Sequence, residues 1–288
     1  EVAGWSPPIA YSRVLDEIAA AGYTGTELGP YGYLPTDAAR LKEELARRSL
    51  TLTSAFVPLK LKEREGLGEV LEQAWRVGGL LAACGARFLV LADDMWPERE
   101  AVAGRAAWAG PSLTPAEWRN VAANLRRVAA ACRDLGLRCV FHHEAGTYLE
   151  TPAEVERLLG EVPAEDLGLC LDTGHYVYGG GDPVEALRRF GTRVEYLHFK
   201  DVRAAVLEQA RADGVGFLDG VRRGVFSELG AGAIDFAAVR DELAKMGYQG
   251  WAVVEQDVDL NDPACSPPLE SAQASRRHLA QVFGDAIR

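Results

Sequence analysis

The chain has 288 residues, 48% of them hydrophobic, and a formal net charge of −11. That acidity argues against a nucleic-acid or anionic-membrane partner, because phosphates would be repelled. No apolar run approaches the roughly 18 residues of a spanning helix. The five cysteines, Cys84, Cys132, Cys139, Cys170 and Cys265, are odd in number and form no CxxC pair, so they read as free thiols in a reducing, cytoplasmic setting.

Taken in order, the chain alternates helices and strands. Residues Tyr11–Ala21 carry Val14, Leu15, Ile18 and Ala19 at helical spacing, and Gly22 ends that helix. Thr24–Leu28 is predicted as a strand, Asp37–Arg48 as a helix, Leu50–Val57 as a strand, Leu67–Cys84 as a helix and Arg87–Ala92 as a strand. Beyond a loop rich in Gly, Trp and Pro, Thr114-Pro115-Ala116-Glu117 opens a helix that runs to Leu135. Threonine caps it, proline suits its first turn and glutamate its positive end. From there the beat is regular: strand Arg138–Glu144, helix Pro152–Gly160, strand Leu167–Asp172, helix Pro183–Phe190, strand Val194–His198. An insertion at about 202–233 follows, readable as a lid with Gly230 and Gly232 as hinges or as a plain surface excursion. Helix Phe236–Met246, strand Trp251–Glu255 and helix Glu270–Phe283 complete the series.

Strands alternating with helices mean a parallel sheet with helices outside. The length suits one α/β barrel of typically about 250 residues. The prediction is therefore a single barrel domain over 1–288, with its first strand absent or trimmed before Glu1. An open doubly wound sheet is the alternative, although no GxGxxG follows any strand, so nothing supports a dinucleotide site.

Four strands end in polar clusters: His142-His143-Glu144, Asp172 with His175, His198 through Asp201, and Glu255 through Asp257. Side chains alternate along a strand, so His198 shares a face with Tyr196, Glu255 with Val253, and His142 with Glu144. In parallel barrels the active site lies at the carboxyl ends of the strands. Glu144, Asp172, His198 and Glu255 are thus expected to converge on one divalent ion. Three carboxylates and an imidazole suit Mn²⁺, Co²⁺ or Mg²⁺, and Zn²⁺ also accepts such donors.

Five stretches then carry a family likeness: GYTGTELG (Gly22–Gly29), LDTGH (Leu171–His175), HFKDVR (His198–Arg203), FLDGVRRGVFSELGAGAIDF (Phe217–Phe236) and WAVVEQD (Trp251–Asp257). On these the chain resembles the sugar phosphate isomerase/epimerase group of xylose isomerase-like (β/α)8 TIM barrels, and within it the inosose dehydratases. The resemblance implies the same four metal positions, with Glu150 and His175 in contact with substrate. Glutamate at position 144 is more like the epimerase and isomerase branch than the dehydratases. His142, Lys200 and Glu27 are added as substrate-binding candidates from their place at strand ends.

The expected chemistry is deprotonation beside the carbonyl of a polyhydroxy ketone, with Glu144 and Glu255 as the catalytic pair. Loss of a β-hydroxyl would give dehydration, and return of the proton would give epimerisation or isomerisation. Dehydration of an inositol-derived ketone (2-keto-myo-inositol) is the first reading, and sugar epimerase or isomerase the second. An abasic-site endonuclease and a non-enzymatic sugar-binding protein are remote. Acidity speaks against the nuclease. A homo-oligomer stays open.

Overall fold

Local sequence decides where the helices begin. Asp37, Thr114, Thr151, Asp182 and Asp235 each accept a backbone N–H at a helix start. Thr114 and Thr151 complete reciprocal boxes with Glu117 and Glu154. Such caps satisfy amides that the helix itself leaves open. The structure, a computed structural model, describes residues 9–63, 67–263 and 265–284. Helices Pro183–Phe190 and Phe236–Met246 lie where the sequence puts them. Among the described residues no helix is long and apolar enough to cross a membrane.

The strands are β1 (Gly25–Thr26), β2 (Thr51–Leu52), β3 (Phe56–Leu59), β4 (Phe88–Asp93), β5 (Arg138–His142), β6 (Gly168–Asp172), β7 (Val194–Phe199), β8 (Asp201–Val202), β9 (Phe226–Ser227) and β10 (Ala252–Val254). β1 pairs with β2, and β3 through β7 and then β10 form a parallel sheet in sequence order. The predicted strand Leu50–Val57 is really two short pieces that change partner between them. Leu28 N donates to Ser54 O on one side, and Val90 N to Ala55 O on the other. With β2 and β3 counted as one run, seven parallel segments follow one another around the barrel. No eighth parallel strand is found among the described residues.

The inside is filled by Val90, Val140, Cys170 and Tyr196, with Phe56, Phe88, Trp251 and Val253 packed on them. The Trp251 ring lies against Gly25, so β10 approaches β1 across the seam. Outside the strands, Leu169, Leu171, Leu187, Val239 and Leu279 belong to one helix-facing core, and Leu41, Leu81, Leu91, Leu125 and Leu158 to another. Period-two alternation on β6 does this sorting: the leucines face the helices, and Cys170 and Asp172 face the axis.

The insertion is built rather than loose. β8 and β9 pair antiparallel, and helices Ala204–Asp213 and Phe217–Arg222 lie between them. Val202, Leu207, Phe217, Val221 and Phe226 pack with Ala145 and Tyr178. Asp201, fully buried, accepts the amides of Val202, Gly230, Gly232 and Ile234 at 2.9–3.1 Å. Gly230 and Gly232, the positions read as hinges, are thus tied to a buried carboxylate. A side chain on Gly230 would collide with His278, and one on Gly232 with Asp201 itself.

Candidate metal centre and active site

Four strand ends place their last inward-facing groups together. His142 ends β5, Asp172 ends β6, His198 lies near the end of β7, and Glu255 follows β10. Asp172 is in register with His198, and His198 with Val253. One donor atom from each of His142, Asp172, His198 and Glu255 lies within 4.8 Å of the others. Three are buried, and the Glu255 side chain is 29% exposed. Glu144 is not in this group, contrary to expectation, and His142 stands in its place. The reason is local. β5 stops at His142, and the chain then turns, with Thr147 N and Oγ1 both donating to Glu144 O. Alternation carries a side chain to the expected face only while the chain stays extended.

Asp172 serves two purposes. Its Oδ1 accepts His175 N at 2.7 Å and starts helix Thr173–Tyr178. Its Oδ2 faces His142 Nε2 at 3.5 Å and Lys200 Nζ at 3.7 Å. Lys200 is 1% exposed. Its Nζ donates to Asp257 Oδ2 at 2.7 Å, and it lies 3.2 Å from Glu255 Oε2 and 3.0 Å from His175 Nε2. Burial opposes charge on this amine, but Asp257, Asp172 and Glu255 outweigh it and hold its pKa well above the ordinary lysine value. Burial likewise pushes Glu255 up, and His198 and Lys200 bring it below the usual carboxylate range. Asp257 is lowered too, burial again being overcome by Lys200. It was visible as a polar strand end without an assigned role. It reaches the same Lys200 Nζ as Glu255 does.

The donor set fits a divalent cation on three observations. His142 Nδ1 and His198 Nδ1 are buried without a hydrogen-bond partner, although buried polar atoms are normally satisfied. Three carboxylates, Asp172, Glu255 and Asp257, lie within 3.7 Å of the one lysine, and Glu27 adds a fourth beside His198, an excess of negative charge that a cation would offset. The oxygen and imidazole donors match Mn²⁺, Co²⁺, Mg²⁺ or Zn²⁺.

The remaining substrate candidates sort by their contacts. His175 is 2% exposed. Its Nδ1 accepts Ala145 N at 3.2 Å, and its ring packs against both Phe217 and Phe226 of the insertion, which also touch each other. With Lys200 it borders the four donors. Glu27 Oε1 lies 3.1 Å from His198 Nε2, beside the cluster. His143 is fully buried, and its Nε2 accepts Asp172 N at 3.3 Å. Glu150 departs from expectation. It is fully buried, and its two oxygens accept Gly104 N at 2.7 Å and Gly146 N at 2.9 Å. Its carboxylate clasps two loops.

Asp93, 2% exposed, clasps the rim in the same way through Leu61 N, Trp96 Nε1 and Tyr148 N. Burial pushes both carboxyls up to about 7, against their backbone hydrogen bonds. A carboxyl raised in the folded chain keeps its proton longer than in the unfolded one. Its stabilisation is complete below the unfolded value of 4.5 for Glu150 and is lost as pH rises through about 7. Glu150→Gln is expected to flatten the pH dependence of urea unfolding between pH 5 and 8, by up to about 3 kcal/mol. An identical slope in the two proteins would refute this.

Comparison with known proteins agrees with this architecture. Residues 15–282 match the family described as xylose isomerase-like TIM barrel. The inosose dehydratase of Geobacillus kaustophilus is 32% identical over 286 residues, covering 98% of this chain and 90% of that protein. The rhizopine catabolism protein MocC of Rhizobium meliloti is 36% identical over 274 residues, covering 95% and 82%. The crystal structure of the probable 3-DHS dehydratase AsbF from Bacillus anthracis superposes with a TM-score of 0.72 at 16% identity, covering 96% and 95%, a likeness of fold. With these matches spanning nearly its whole length, the chain belongs to the xylose isomerase-like TIM barrel family.

Proposed function

We propose that this enzyme removes water from a cyclic polyhydroxy ketone, with 2-keto-myo-inositol as first candidate and Mn²⁺ or Co²⁺ as the bound ion. The inosose dehydratase name of a full-length relative supports the substrate. The exchange of Glu144 for His142 within the four-donor group carries the choice of reaction. Epimerisation through two opposed carboxylates needs a base on each face of the substrate. Here Glu255 is the partly exposed carboxylate of the group, and Asp172 is fully enclosed and already caps a helix.

A divalent cation held by His142, Asp172, His198 and Glu255 would polarise the ketone and acidify the neighbouring C–H. Glu255 takes that proton. Lys200 Nζ, 3.2 Å from Glu255 and 3.0 Å from His175 Nε2, supplies a proton to the departing β-hydroxyl. Asp257 holds Lys200 in place for this at 2.7 Å. An aromatic wall of Phe217 and Phe226 keeps water from the His175 side.

The substrate is uncharged in this reading. Arg99 is bound to Glu154, Arg203 to the carbonyls of Gly224 and Phe226, and Arg211 to those of Val177 and Tyr178. Each guanidinium is thereby engaged away from a phosphate at the cluster, which speaks against a sugar phosphate.

Incubation of the metal-loaded protein with inosose and a panel of ketohexoses in deuterated water tests the proposal. Loss of water from inosose is the expected result. Deuterium beside the carbonyl without loss of water would mean epimerase or isomerase chemistry, and no exchange with any ketone would mean a binding protein.

A further inference from the structure

The strand at one edge of the series reaches the centre of the site. Glu27 follows β1, which among the described residues pairs with β2 alone. Yet its Oε1 lies 3.1 Å from Nε2 of His198 on β7. The Glu27 side chain is 12% exposed. Ser54 Oγ donates to the same oxygen at 2.6 Å, lies 3.1 Å from Tyr196 OH, and Tyr196 OH in turn donates to Thr53 Oγ1 at 2.8 Å. This buried hydroxyl network fixes the carboxylate from below.

We infer that Glu27 is the positioning residue of the metal centre: it keeps the His198 proton on Nε2 and so presents the Nδ1 lone pair to the cation. The inference rests on the metal-centre reading above. A carboxylate oxygen 3.1 Å from an imidazole nitrogen favours the proton on that nitrogen, and Ser54 already donates to the same oxygen. The other nitrogen, Nδ1, has no hydrogen-bond partner and lies 3.3 Å from Glu255 Oε1 and 3.9 Å from Asp172 Oδ2. A lone pair facing two carboxylates is repulsive unless a positive charge lies between them. Carboxylates behind metal-binding imidazoles fix ring orientation and raise donor strength. Glu27 therefore acts through His198 and not on the substrate hydroxyl expected of it from sequence.

The test measures metal binding by calorimetry on chelator-stripped protein, with Mn²⁺ and Co²⁺ as probes, together with the visible spectrum of the Co²⁺ form. Glu27→Gln keeps an acceptor oxygen without its charge, and about 10-fold weaker binding is expected. Glu27→Ala removes both, with about 100-fold weaker binding and a shifted Co²⁺ spectrum. Ser54→Ala, which loosens Glu27, moves affinity in the same direction by less. Metal-free melting temperatures of the Gln variant and the parent should coincide. Wild-type affinity and spectrum in Glu27→Ala would overturn the inference. So would a loss of metal-free stability in both Glu27 variants large enough to account for the weaker binding, because Glu27 would then only brace the fold. A parent protein that binds neither ion would instead sink the metal centre itself.

Discussion

Asp172→Ala is expected to abolish both bound divalent metal and turnover of a polyhydroxy ketone. The carboxylate is fully buried and belongs to the four-donor group. Losing it removes one of the two fully enclosed anchors of that group, Asp172 and His198. Metal polarisation of a carbonyl is worth several kcal/mol of barrier, so a fall of roughly 10³-fold or more in kcat/KM is expected. The alanine variant also loses the helix cap to His175 N, at a stability cost of about 1 kcal/mol. Asp172→Asn separates the two effects, since an amide oxygen still caps the helix. Metal analysis of protein purified without chelator, alongside initial rates, decides the matter. If Asp172→Asn retains the parent's metal content, the ligand assignment fails.

Lys200→Met has the second large effect, on stability as well as rate. The ammonium is 1% exposed and lies within 3.7 Å of carboxylates of Asp257, Glu255 and Asp172. Its removal leaves three carboxylates without their common partner, a change that typically costs 3–5 kcal/mol. The melting temperature of the metal-free protein should fall on the order of 10 °C. Added Mn²⁺ should recover more stability in the variant than in the parent, because it supplies the missing positive charge. Turnover should drop by about 10²-fold or more, the usual contribution of a positioned proton donor. Equal melting of variant and parent without metal would show that the lysine does not hold the carboxylates together.

Much of the architecture was legible because helix starts and strand ends carry local chemistry. The caps at Asp182 and Asp235, and the alternation of Leu169 and Leu171 with Cys170 and Asp172, need no long-range information. The place of Glu144 outside the four-donor group has a physical cause. Parity along a strand predicts facing only up to the last paired residue, and the register of β5 with β4 and β6 ends at His142. No local signal marks that end. Glu150 sits apart from the expected contact for a related reason. Its carboxylate is consumed by amides of Gly104 and Gly146, one of them distant in sequence, and such a clasp forms only once two loops are folded together. Glu27 lies beside the four-donor group, but its partner His198 is 171 residues away, a pairing that no local pattern announces. The insertion's two helices, Ala204–Asp213 and Phe217–Arg222, go beyond the expectation of one excursion over 202–233. Ala204–Asp213 carries buried Leu207 and Ala210 three positions apart, a spacing that the letters contain.

The four amides gathered on Asp201 give this side of the pocket a particular character. A flexible flap must be ordered afresh each time a molecule is captured, and part of the binding free energy is lost to that ordering. Here the ordering cost of the Phe217–Phe226 wall falls once, during folding, and catalytic cycles inherit a finished surface. Selectivity on this flank then depends on fit to a shape that the fold has already set.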